Sequence, residues 1–134
     1  MEQRSEQNVC ILVVDDEQDI RRIIRILLES SGYQVAEAPN GLAAVEYIRQ
    51  QPNVDLVLMD IQMPRMNGYE ATKVIRKMDR DDAADIPIIA MTANAFAEDV
   101  QASLDVGMTA HVAKPIDVDV LQNTLYTVLD RKGE

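Results

Sequence analysis

The chain is poor in positive charge. Thirteen lysines and arginines face 23 acidic residues, for a net charge of −10. Nucleic-acid phosphates need a basic face, so no nucleic-acid partner is expected. Proteins or metal-bound phosphoryl groups are the expected partners. The one cysteine, Cys10, cannot form an internal disulfide. It lies inside an apolar run, where a buried and inert thiol is expected. No apolar run approaches the length that spans a bilayer, and the polar start at residues 1–8 lacks the apolar region of a secretory signal. The expected location is cytoplasmic, without direct membrane contact. Glycine and proline are sparse at five each and 47% of the residues are hydrophobic, which disfavours disorder away from the ends. A chain of 134 residues suffices for one domain with its own core. The expected layout is a flexible leader at 1–8, a domain at 9–131 and a tail at 132–134.

Short apolar runs alternate with amphipathic segments. Strands are predicted at 9–14, 33–38, 55–59, 88–91 and 110–113, and helices at 19–30, 41–50, 68–77, 95–106 and 118–129. In the first helix Ile20, Ile23, Ile24, Leu27 and Leu28 recur at helical spacing, with Arg21, Arg22 and Arg25 between them. Gly32 and Gly107 are placed to stop helices. Residues 79–85 form a charged, exposed connection. The strands are continuous apolar runs, the pattern of parallel strands covered on both faces. Five such units predict a doubly wound α/β sheet, though the pattern does not fix the strand order.

Charged residues sit just after three of these runs: Asp15 and Asp16 after the first, Asp60 after the third, and Lys114, followed by Pro115, after the fifth. Neighbouring parallel strands would bring these groups together at the carboxyl edge of the sheet, where open α/β sheets bind ligands. Clustered carboxylates repel one another and raise each other's pKa values, so they need a cation or a chemical task. Donors that are all oxygen suit a hard ion such as Mg2+.

These residues carry a resemblance. Val13-Val-Asp-Asp-Glu17, the segment from Leu58 through Asp60 and Gly68 to Glu70, Met91-Thr-Ala93 and Lys114-Pro115 resemble the receiver domain of two-component response regulators, in order and over nearly the whole chain. The resemblance implies a five-stranded parallel sheet of order 2-1-3-4-5 with five helices. It implies that Asp60 accepts a phosphoryl group from a phosphohistidine. It also implies that Asp16 and Asp60 ligate Mg2+, Asp15 mainly through water, and that the backbone carbonyl of Gln62 completes the protein ligands. Mn2+ could substitute. Lys114 would pair with a phosphoryl oxygen, and Thr92 would hydrogen-bond the phosphoryl group and move inward on modification. Ala93 would leave the acceptor open to a partner histidine, and Pro115 would follow a cis peptide bond. Gln62 and Asn94 flank the site and bear on signal lifetime.

The chain departs from the common pattern at His111, where many receivers carry a rotating Tyr or Phe. A switch role for His111 is one reading, and a half-buried, hydrogen-bonded strand residue is the other. Met59, Met63, Met66 and Met91 read as core and loop packing, and Arg65 as an exposed side chain. The Arg21, Arg22, Arg25 stripe reads as a docking face for a phosphohistidine partner or as a solvated helix face. Residues 94–117 resemble receivers of hybrid sensor kinases. The implied partners are therefore a sensor histidine kinase or a histidine phosphotransfer domain, and the chain itself a monomer or weak homodimer.

Competing classes fit less well. A phosphohydrolase using an aspartyl phosphate would carry a second Asp at the position of Gln62. A flavodoxin-like cofactor binder would need an anion nest where Asp15 and Asp16 stand. A phosphorylation-independent scaffold has no need of a complete acidic site. The chain is thus expected not to be an enzyme beyond slow self-phosphorylation and self-dephosphorylation.

Overall fold

The computed structural model describes residues 9–51, 53–63, 66–78, 85–92, 97–114 and 116–133. The leader at 1–8, Arg65, the connection at 79–84, Ala93, Asn94, Pro115 and residue 134 lie outside the described residues. The elements are β1 (Cys10–Val14), α1 (Gln18–Ser30), β2 (Gln34–Ala38), α2 (Gly41–Gln50), β3 (Leu56–Asp60), α3 (Gly68–Arg76), β4 (Ile88–Thr92), α4 (Ala97–Asp105), β5 (Ala110–Ala113) and α5 (Val118–Gly133). The strands pair in parallel in the order β2-β1-β3-β4-β5.

Side chains alternate across each strand, and the two faces build separate cores. Leu12, Val14, Val57, Met59, Ile88 and Ala90 join Ala44, Val45 and Ile48 of α2 and Ala71 and Ile75 of α3. Ile11, Val13, Leu56, Leu58, Ile89 and Met91 join Ile24 and Leu28 of α1 and Leu121, Leu125 and Val128 of α5. With both faces covered, the three central strands are buried at every residue, which is why they read as unbroken apolar runs.

Local chemistry sets the helix ends. Gly32 and Gly107 take φ of 99° and 98°, a region that costs glycine little. Each lets the chain fold back so that the next amide donates to a carbonyl of the last turn: Tyr33 N–H to Leu28 O, and Met108 N–H to Ser103 O. Asn67 caps α3 by accepting from Glu70 N–H at 2.9 Å, while Glu70 Oε1 accepts from Asn67 N–H at 3.0 Å. Asn67→Ala should therefore lower stability by about 1 kcal/mol, measured as a reduced urea midpoint at unchanged slope.

Three details differ from expectation. β3 starts at Leu56 and runs through Asp60, because the Asp55 carboxylate is turned to accept from Cys10 N–H at 2.8 Å. α5 continues to Gly133. Ile23 is 55% exposed although it shares the helical spacing of the buried residues, since the sheet covers only the narrower stripe centred on Ile24 and Leu28. Among the described residues no helix is long and apolar enough to cross a membrane.

Candidate functional site

β1 pairs with β2 on one side and β3 on the other, so the direction of winding changes between β1 and β3. The helices after these strands leave to opposite faces and open a crevice at the carboxyl ends. Asp15, at the end of β1, is 0% exposed, and Asp60, the last residue of β3, is 4% exposed. Asp16 is exposed. One carboxylate oxygen from each of the three lies within 4.8 Å of the others. Lys114, just beyond β5, sets its Nζ 2.9 Å from Asp15 Oδ2 and 3.3 Å from Asp60 Oδ1. Thr92, at the end of β4, is buried beside them, and its carbonyl accepts from Lys114 N–H at 2.8 Å. The crevice thus gathers Asp15, Asp16, Asp60, Thr92 and Lys114, all placed there by sequence position.

Two short bonds orient the carboxylates. Glu17 N–H donates to Asp15 Oδ1 at 2.9 Å, and Gln62 N–H donates to Asp60 Oδ1 at 3.2 Å. Burial and the adjacent Asp15 charge raise the Asp60 pKa to about 6, against the opposing pull of Lys114 and the Gln62 amide. Burial alone would lower the Lys114 pKa, but its hydrogen bond to Asp15 and the charges of Asp60 and Asp15 outweigh it and hold the ammonium above its ordinary value. Lys114 compensates one negative charge of three. The residual charge, with donors that are all oxygen, suits a divalent hard cation.

Gly68, the first residue of α3, lies under Asp60. A Cβ there would stand 2.5 Å from Asp60 O and 2.9 Å from Ile61 Cα. Neither backbone atom can swing away. Helix propensity alone would favour alanine by up to about 1 kcal/mol. We nevertheless expect Gly68→Ala to lose about 2 kcal/mol in urea unfolding, because this overpacking displaces the Asp60 backbone.

Other sequence-identified residues fall elsewhere. His111 is exposed on β5, at the end of the sheet, so the half-buried reading does not hold for it. Met59, Met63 and Met91 are buried in the cores, and Met66 packs against one of them. The Cys10 thiol is buried, and burial with the neighbouring Asp55 charge raises its pKa, consistent with an inert group. The arginine stripe is not uniform. Arg21 and Arg25 both bind Glu37 of β2, and Arg25 also meets Glu29. Gln62 is exposed at the rim.

Sequence reasoning named Gly68 within the motif and Arg21 within the helix stripe but missed what they do at the site: Gly68 packs beneath Asp60, and Arg21 Nη1 donates to Asp15 O at 2.7 Å. A close approach and a bond to a backbone carbonyl leave no pattern in the sequence.

Known proteins resemble this chain in sequence and fold. The chain is 42% identical over 121 residues to the CAI-1 autoinducer sensor kinase/phosphatase CqsS of Vibrio cholerae, covering 90% of this chain and 17% of that protein. It therefore spans about a sixth of that relative's length. It is 36% identical to the polar-differentiation response regulator DivK of Brucella anthropi, covering 89% of this chain and 94% of DivK. The solved receiver domain of a sensor histidine kinase from Pseudomonas aeruginosa, which has a magnesium ion coordinated in its active site cleft, superposes with a TM-score of 0.83 at 35% identity, covering 92% of this chain and 98% of that one. The family model for the response regulator receiver domain matches residues 11–126. With its acidic crevice at the carboxyl edge of a 2-1-3-4-5 sheet, the chain belongs to the response regulator receiver domain family of two-component signalling.

Proposed function

We propose that Asp60 accepts a phosphoryl group from a phosphohistidine on a partner protein, in a step that requires Mg2+ or Mn2+. The observation that carries this reading is the placement of a nearly buried carboxylate, Asp60, between two further carboxylates and an ammonium in one crevice. Asp15, Asp16, Asp60 and the Gln62 backbone carbonyl would hold the ion, with Asp15 acting mainly through water. When bound, the ion would offset the charge of the carboxylates and of the phosphoryl oxygens.

The chain's own groups do the rest. An ionised Asp60 oxygen forms the new O–P bond as the N–P bond to the partner imidazole breaks and the nitrogen keeps the electron pair. The Gln62 amide, 3.2 Å from Asp60 Oδ1, helps hold the carboxylate in place for in-line attack. Lys114 stands within 3.3 Å of the acceptor and would pair with a transferred oxygen. The Thr92 hydroxyl would bond another, drawing the end of β4 inward. That movement would bias the surface formed by α4, β5 and α5, where His111 is exposed.

The partner is a sensor kinase or a phosphotransfer domain, in keeping with the kinase relatives. α1 would meet it through Arg22 and the neighbouring exposed Ile23 and Ile26. Incubation with acetyl phosphate and Mg2+ should add one phosphoryl group by intact mass. EDTA or Asp60→Asn should abolish the gain. A gain that survives Asp60→Asn would overturn the assignment.

A further inference from the structure

We propose that Arg21 is a positioning residue for the cation site: it braces the turn carrying Asp15 and Asp16, and so sets the affinity of the crevice for a divalent ion. The proposal rests on the reading of the crevice as a cation-dependent phosphoacceptor site.

The β1–β2 ladder reaches Val14 and Ala38, and one further bond, Asp15 N–H to Ala38 O at 3.2 Å, extends it. β2 ends at Ala38. The Asp15 carbonyl is taken instead by Arg21 Nη1 at 2.7 Å, from the first turns of α1. The other edge of the same guanidinium is fixed, because Arg21 Nε donates to Glu37 Oε1 at 3.0 Å. Glu37 is held in turn by Arg25 Nη1 at 2.8 Å. Arg25, partly buried Glu37 and Arg21 thus form a chain of charge-assisted bonds running from the surface of α1 to the backbone of the acidic turn. The hydrogen bond from Arg25, and then that from Arg21, keep the Glu37 carboxyl below its ordinary value despite its burial, so the network is charged throughout the neutral range.

The consequence falls on Asp16. Asp15 is buried and held by Glu17 N–H and Lys114, and Asp60 is fixed at the end of β3. Asp16 is the exposed member of the three, so the backbone of the turn decides where its carboxylate stands. Two effects of Arg21 oppose each other. Its positive charge repels an incoming cation, and its brace pre-forms the ligand set. The charge is paired at 3.0 Å with Glu37, so the brace should win. The sign of the result therefore separates the two.

The test is calorimetric titration of the full chain with Mg2+, for wild type, Arg21→Ala, Arg21→Lys and Arg25→Ala, with urea midpoints and amide exchange at Asp16 and Glu17 measured alongside. Loss of an outer-shell partner weakens metal binding by about tenfold or more, so Arg21→Ala should bind Mg2+ roughly tenfold more weakly, with faster exchange in the turn. Arg21→Lys keeps the charge but can reach only one of the two partners, and should fall between. Arg25→Ala also breaks contacts of Glu37 but spares the Asp15 carbonyl, and should stay within about twofold of wild type. Should Arg21→Ala fail to fold, Arg21→Lys carries the test in the same direction. Unchanged or tighter binding in the Arg21 variants, or equal weakening in Arg25→Ala, would overturn the brace. A wild type that binds no Mg2+ would overturn the brace together with the reading beneath it.

Discussion

Replacing Asp60 with asparagine is expected to make the metal-free protein more stable by about 2 kcal/mol near pH 8 while abolishing phosphoryl acceptance. In the folded protein Asp60 titrates at about 6, against an ordinary value of 3.8. A raised folded pKa contributes stability that is full below the unfolded value and lost as pH rises through the folded one. Above about pH 7 the ionised carboxylate therefore costs the fold roughly 3 kcal/mol. Asparagine removes that cost and can still accept from Gln62 N–H at the same place. The value of about 6 already contains the pull of Lys114; the net gain is smaller than the full cost because an amide NH2 takes the place of one carboxylate oxygen in the crevice. The advantage should shrink as pH falls through about 6 and vanish below 3.8, as first the folded and then the unfolded carboxyl takes up its proton. Urea unfolding of both proteins across that range, without divalent ions, checks the sign and the window. A variant less stable than wild type at every pH would contradict the picture of a strained acceptor. The acidic crevice is thus a local sacrifice of stability that a bound cation would relieve.

The opposite result is expected at Lys114. Its ammonium, largely shielded from solvent, is the compensating charge for a wholly buried Asp15 and a nearly buried Asp60. Lys114→Met keeps much of the volume but leaves the carboxylates facing one another. Breaking a buried pair by removing one partner costs about 3 kcal/mol or more, because the remaining charge stays desolvated. Asp60 can escape by taking up a proton, since without the ammonium its pKa climbs further above 6. The loss should therefore be largest near pH 8 and much smaller near pH 5.5. Saturating Mg2+ should restore part of it, because an ion that binds the folded state alone adds stability. A loss independent of both pH and Mg2+ would mean that Lys114 acts through packing.

Much of this site is legible in the sequence because its residues end strands. Parallel strands covered on both faces leave unbroken apolar runs, and the residue after each run stands at the ligand-binding edge. Asp15, Asp60, Thr92 and Lys114 are placed by that rule alone. The strand order is not legible in the pattern. It follows from the family resemblance, and the structure agrees. Other features leave no trace. Ile20, Ile23, Ile24, Leu27 and Leu28 share one helical spacing, but how wide a stripe the sheet covers depends on how α1 sits on it, so the spacing does not reveal the exposure of Ile23. Gly68 reads as a helix start, yet its lack of a side chain is demanded by the Asp60 backbone packed against it. Arg21 stands in a stripe that suggests a free docking face, whereas two of its three members are engaged with Glu37.

The central claim is that Asp60 and its acidic neighbours form a cation-dependent acceptor for a phosphoryl group. Fluorine NMR with beryllofluoride, which mimics an acyl phosphate without transferring one, tests it most directly. Wild type should show bound fluoride resonances only when Mg2+ is present, and Asp60→Asn should show none. Bound resonances without a divalent ion, or in Asp60→Asn, would contradict the account, as would their absence from wild type with saturating Mg2+.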